Sequence, residues 1–131
     1  MIDQFKEIFS LLDKEGGIHR GLNTGIFSQV FHGDKSTAMI ARFEPNASGR
    51  IHQHPHEQWG FVLEGSCVRV EGETETICKK GDFWVTKGDT MHTVRALEEG
   101  LVLLDVFAPA RDDYRTEGKG FGDANYKNLN E

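Results

Sequence analysis

Arg50-Ile51-His52-Gln53-His54-Pro55-His56-Glu57-Gln58-Trp59-Gly60-Phe61-Val62-Leu63-Glu64-Gly65 is the stretch from which the architecture can be worked out. Two β-prone pieces, residues 50–53 and 59–63, flank Pro55, which cannot donate to a strand ladder and turns the chain between them. Three of the six histidines fall within residues 52–56. Side chains two apart on a strand share a face, so His52 and His54 offer two imidazole nitrogens to one point. Gln58, on the strand beyond the proline, can return to that point. His92 supplies a fourth arm if the strand starting there lies alongside, behind the turn signal Lys87-Gly88-Asp89-Thr90. The expectation is one divalent metal ion held by His52, His54, Gln58 and His92; the plainer alternative is a polar pocket in which the histidines only hydrogen-bond. His56 is expected to be solvated or to support a ligand, and His19 and His32, among Gly and Asp, to be solvated.

From Gly16-Gly17 onward the chain breaks into short β-prone runs punctuated by Gly, Asp, Asn and Pro. The runs are 26–31, 37–43, 50–53, 59–63, 67–71, 74–78, 83–85, 92–96 and 101–107. So many short strands predict an all-β body that closes into a barrel or doubles into a sandwich, which protects its edges. Before it, Ile2, Phe5, Ile8, Phe9 and Leu12 recur at helical spacing and predict a short amphipathic helix over residues 1–14. The barrel is expected over residues 18–110, with a polar, loosely attached tail over 111–131 anchored by Tyr114, Phe121, Tyr126 and Leu129. At 131 residues the whole is one domain.

Composition narrows the possible roles. A net charge of −6, with Lys and Arg scattered, argues against a nucleic-acid partner. No apolar run approaches the roughly 20 residues of a membrane span. The first residues carry acids where a secretory signal would be basic, so the expected location is cytoplasmic. Cys67 and Cys78 flank a turn at Gly72-Glu73, so a hairpin would set them opposite each other, as packed thiols rather than a disulfide in a reducing compartment. The apolar N-terminal face and an edge strand favour a homodimer.

Two spaced motifs resemble those of the cupin family: His52-x-His54-x-x-x-Gln58 followed by six residues and Gly65, and Gly81-Asp82-x-x-x-x-Lys87-x-x-x-x-His92. The resemblance implies a small β-barrel, a double-sheet jelly roll, with His52, His54, Gln58 and His92 on its four metal-ligand positions. Nickel, zinc, manganese and ferrous iron all suit such a set. The sequence departs from the family at two places. Gln58 stands where most cupins have Glu, and a neutral amide leaves the ion its full double charge and makes it a stronger Lewis acid. Lys87 stands where Pro is usual, which is expected to loosen the turn before His92.

The segment 101–111, Leu-Val-Leu-Leu-Asp-Val-Phe-Ala-Pro-Ala-Arg, sets an acid in the middle of an apolar strand. Leu101, Leu103, Asp105 and Phe107 share a face, and a carboxylate buried there needs a reason. Asp105 is a candidate base. Arg111 is either its salt partner or a fork that grips an anionic substrate. Asp105-x-Phe107-x-Pro109-x-Arg111, with the His-Pro-His-Glu-Gln run, is similar to cupins of the pectin-degradation, KdgF type. That resemblance implies ring opening of a 4,5-unsaturated monouronate to a linear keto acid, with Asp105 and Arg111 catalytic and Phe107 and Arg111 at the substrate. A cupin dioxygenase or lyase, or a binding module without turnover, is the competing expectation.

Overall fold

The computed structural model describes residues 7–115, 117–119 and 127–128. Among these residues ten strands form one rolled sheet: β1 (Ile18–Asn23), β2 (Ile26–His32), β3 (Thr37–Phe43), β4 (His52–Gln53), β5 (Glu57–Glu71), β6 (Thr74–Lys79), β7 (Phe83–Thr86), β8 (His92–Ala108), β9 (Gly118–Lys119) and β10 (Lys127–Asn128). The order is β10-β4-β8-β3-β2-β1-β9, while β5 pairs with β6, β7 and β8. Every pairing is antiparallel except β1 with β9.

Alternation explains which face turns inward. On β8, Leu101, Leu103, Asp105 and Phe107 are buried while Val102, Leu104 and Val106 are half-buried on the other side. The interior holds two apolar clusters. One is built on Ile18, Leu22, Ile26, Val30, Met39, Phe107 and Tyr114, the other on Val62, Cys67, Cys78, Leu101 and Leu103. Cys67 and Cys78 sit directly opposite each other as free, buried thiols, and burial pushes Cys67 up to about 12, so both are packing groups.

Two of the expected breaks are absent. Runs 59–63 and 67–71 join in β5, and 92–96 and 101–107 join in β8. Gly65, at a φ of 80°, carries the chain through the bend, where the register shifts. A Cβ there would lie 2.0 Å from the carbonyl oxygen of Gly100, which accounts for the motif glycine. Strand β1 was not among the expected runs; Arg20 and Gly21 interrupt its apolar pattern, although Ile18, Arg20 and Leu22 all turn inward.

The expected helix over 1–14 is not formed where the chain is described. Residues 7–14 run as coil and turn, and residues 1–6 lie outside the described residues. Ser10 and Asp13 divert the backbone: Leu12 N–H donates to Ser10 Oγ at 3.1 Å and Glu15 N–H to Asp13 Oδ1 at 2.9 Å. Such local bonds compete with a helix whose nucleation is already costly in so short a segment. Phe9 packs on Phe31 instead, while Ile8 and Leu12 are exposed. In the 111–131 segment, Tyr114 is buried, Gly118–Lys119 pair with β1, and Lys127–Asn128 pair with β4. No helix among the described residues is long and apolar enough to cross a membrane.

Candidate metal centre and active site

Strand register brings the four expected ligands together. His52 on β4 is paired with His92 at the start of β8, and Gln58 enters at the start of β5. His52, His54 and His92 are buried, and each presents a nitrogen within 4.8 Å of the others. Gln58 Oε1 lies 2.9 Å from His54 Nε2 and 3.0 Å from His92 Nε2. The turn before His92 is held despite Lys87: Asp89 N–H donates to the His54 carbonyl at 2.7 Å, and Gly88 packs so tightly on Pro55 that a Cβ would meet its carbonyl oxygen at 2.3 Å.

The donor set fits a cation. His52 Nδ1 lies 2.6 Å from the Arg50 carbonyl and His92 Nδ1 lies 2.7 Å from the Thr90 carbonyl. A carbonyl only accepts, so each Nδ1 carries the proton and each Nε2 carries a lone pair. Burial, reinforced by neighbouring His92 and Arg111, holds His52 down at about 3; burial and then Arg111 hold His54 at about 2. His92 is lowered by burial as well. All three are neutral imidazoles at pH 7. His92 Nε2 and Gln58 Oε1 therefore face each other as two acceptors without a proton between them, an arrangement that a positive ion relieves.

Gln58 also determines how the second half of the site meets the first. Its side chain hydrogen-bonds the Asp105 carboxylate, so its amide nitrogen faces Asp105 and its oxygen faces the histidines. Asp105 lies 3% exposed opposite Gly60, with Oδ1 lacking a hydrogen-bond partner. Burial raises its pKa to about 7, against the opposing pull of Gln58 and Arg111. Phe107, paired with Gln58 across β5 and β8, sets its ring edge-on to His54 at 5.6 Å. His52, Gln58, His92, Asp105, Phe107 and Arg111 all line one cavity with about 40 Å³ of open space, the size of an ion and a ligand atom or two.

Arg111 is fully buried, and among the described residues its guanidinium pairs with the Asp113 carboxylate, at 2.7 Å. Of the two readings of Arg111 left open by the sequence, a salt bridge to Asp105 thus gives way to one with a residue two positions further on. Of the two places expected for His56, the surface gives way to a buried position, and His32 departs from its expected exposure. His56 is 5% exposed and bonded to the Ala110 carbonyl, with its ring toward Phe107 at 6.4 Å. His32 is half-buried: Nδ1 lies 2.8 Å from Thr37 Oγ1 and Nε2 lies 3.2 Å from the Tyr114 carbonyl. His19 is exposed, as expected. Two acids, Asp112 and Asp113, follow Arg111 in the sequence, and nothing in their order marks which of them takes the guanidinium.

Residues 39–107 match the cupin domain model. The chain is 38% identical, over 96 residues, to the pectin degradation protein KdgF of Dickeya dadantii, covering 71% of this chain and 86% of that protein. Among solved structures, KdgF from Halomonas sp. superposes with a TM-score of 0.68 at 31% identity, over 72% of this chain and 88% of the other. An RmlC-like cupin from Shewanella frigidimarina shares the fold at a TM-score of 0.72 and 24% identity, over 83% and 96% of the two chains. The domain match spans more than half of the sequence, and the relatives cover most of it; this chain belongs to the cupin family.

Proposed function

We propose that this protein is a metal-dependent cupin enzyme of pectin breakdown that opens the ring of a 4,5-unsaturated monouronate to a linear keto acid. The observation that carries the reading is a buried carboxylate, Asp105, with its pKa raised to about 7, joined through Gln58 to a cluster of three neutral histidines. Two similar proteins, from Dickeya and Halomonas, bear the name KdgF, and the first is named for pectin degradation.

The chain's own groups suit that reaction. Asp105 is about half ionised near neutral pH, so it can take the proton of an anomeric hydroxyl and give one back. As the bond from the anomeric carbon to the ring oxygen breaks, the ring oxygen and the adjacent double bond become an enol. Protonation at C4 turns that enol into the ketone. Arg111 meets the substrate carboxylate, and Phe107 walls the cavity beside His54. A divalent ion on His52, His54, Gln58 and His92 would act as a Lewis acid toward the sugar oxygens. Only the reacting part of a sugar fits the open space, with the rest at the mouth.

The test follows the absorbance of the conjugated double bond of unsaturated galacturonate. Metal-loaded protein is expected to speed its decay, and chelator-treated protein to lose that effect until metal is restored. Decay no faster than in buffer, with metal and sugar both bound, leaves a binding module.

A further inference from the structure

We infer that Asp113 is a positioning residue for Arg111: it holds one edge of the guanidinium, so fixing which edge meets an anionic substrate, and balances its charge beside the metal ligands. This rests on the proposed reading of the cavity as a site for a metal ion and a sugar acid. Asp113 Oδ1 accepts from Arg111 Nε at 3.0 Å, and Oδ2 accepts from Nη2 at 2.7 Å and Nε at 3.3 Å. The two side chains are 0% and 2% exposed. A side-on grip of this kind occupies the Nε–Nη2 edge and turns the Nη1 end of the guanidinium away from Asp113.

The rings that Arg111 stacks on cannot do this. Its Cζ lies 3.9 Å from the Tyr114 ring centroid and 4.8 Å from that of Phe107. Stacking on rings fixes the plane of a guanidinium but leaves its rotation within that plane undetermined. The backbone is tied separately. Arg111 N–H donates to Thr37 Oγ1 at 2.8 Å, His32 links Thr37 to the Tyr114 carbonyl, and His56 bonds the Ala110 carbonyl. With backbone and plane both fixed, the carboxylate of Asp113 sets the remaining rotation.

Charge gives Asp113 a second effect. Arg111 lines the same cavity as His52, Gln58 and His92, where an unbalanced cation repels an arriving dication across a low dielectric. Paired with Asp113, Arg111 presents a dipole to the ion and still presents donors to a carboxylate. The site can then accept a cation and an anion side by side.

The experiment compares the full-length wild type with Asp113→Asn, which keeps shape and loses charge. Calorimetric titration with nickel ion alone is expected to show affinity about tenfold weaker in the variant. On metal-loaded protein, affinity for galacturonate is expected to fall about tenfold while that for galactose, the neutral counterpart, stays level. Asp113→Glu should restore part of both losses. Wild-type affinity for nickel together with an unchanged galacturonate-to-galactose ratio in Asp113→Asn overturns the inference, as does an equal loss of both sugars. If Asp113→Asn alone fails to fold, Arg111→Gln and the double variant Arg111→Gln/Asp113→Asn replace it, since removing both partners leaves no buried charge alone. Galacturonate affinity should then be the same in both, and a further loss in the double variant counts against Asp113 acting through Arg111. A wild type that binds galacturonate but never opens the unsaturated sugar rejects the proposed reaction and leaves the Asp113 result standing.

Discussion

Replacing Gln58 by a glutamate probes both halves of the site through a single side chain. Its oxygen lies 2.9 Å and 3.0 Å from His54 and His92, and its amide donates to Asp105. Gln58→Glu keeps the shape but turns that donor into a carboxylate oxygen facing another carboxylate. Two unit charges about 4 Å apart in an effective dielectric of about 20 repel by about 4 kcal/mol. At about 1.36 kcal/mol per pH unit, that holds a proton on the pair for about three more pH units. Asp105 starts from about 7, so the introduced carboxyl and Asp105 keep one shared proton throughout the neutral range. The variant is expected to bind the ion as well as the wild type or better, because a carboxylate oxygen replaces an amide oxygen. Ring opening at pH 7 should fall by about one to three orders of magnitude, the smaller loss applying where the bound ion neutralises part of the new carboxylate's charge. It should recover about tenfold per pH unit on the alkaline side. The assay is the decay of double-bond absorbance from about pH 6 to about pH 10, with metal content measured for each sample. A metal-loaded Gln58→Glu protein with wild-type turnover at pH 7 and a flat profile would refute both the Gln58–Asp105 bond and the role of Asp105 as base.

Ligand and base variants should separate cleanly: His52→Ala or His92→Ala releases metal, whereas Asp105→Asn keeps metal by elemental analysis and loses turnover. The metal-free protein should weaken in acid. His52 and His54 are held at about 3 and about 2 in the fold against 6.5 unfolded, so their contribution is whole above pH 6.5 and drains as pH falls below it. By pH 5 the two together cost about 4 kcal/mol, which urea denaturation of chelator-treated protein at the two pH values would register. An unchanged midpoint would show that these histidines are not buried neutral. Gly88→Ala drives a methyl toward the Pro55 carbonyl beside His54, so it should lower stability by about 1–3 kcal/mol and weaken metal binding, both readable from melting with and without the ion.

The clustering of the candidate ligands was partly legible: His52 and His54 need only strand periodicity and Gln58 a turn, whereas His92 reaches them through the pairing of β8 with β4. What Gln58 does beyond the metal was not. Its bond to Asp105 exists because β5 runs beside β8 with Gly60 opposite Asp105, a register that no short motif records. The short helix failed for a related reason: the period of Ile8 and Leu12 was real, but among the described residues both are exposed, and only Phe9 finds a partner, Phe31. His32 reads as solvated from its neighbours in sequence, and His56 as either solvated or supporting a ligand; both are covered by the segment 110–114, which in the case of His32 is 82 residues away.

The same distinction divides the chemistry. Four ligands can be present in any barrel with this strand–turn–strand, and they make a metal binder. A carboxylate that titrates near neutrality and an arginine held at a defined edge come from the end of β8 and the turn after it, where burial and the Asp113 pair set the charges. Variants of His52 or His92 therefore remove the ion and cannot tell a binding module from an enzyme. Asp105→Asn and Asp113→Asn leave the histidines in place, so a loss of turnover or of acid preference in them reports on the chemistry itself.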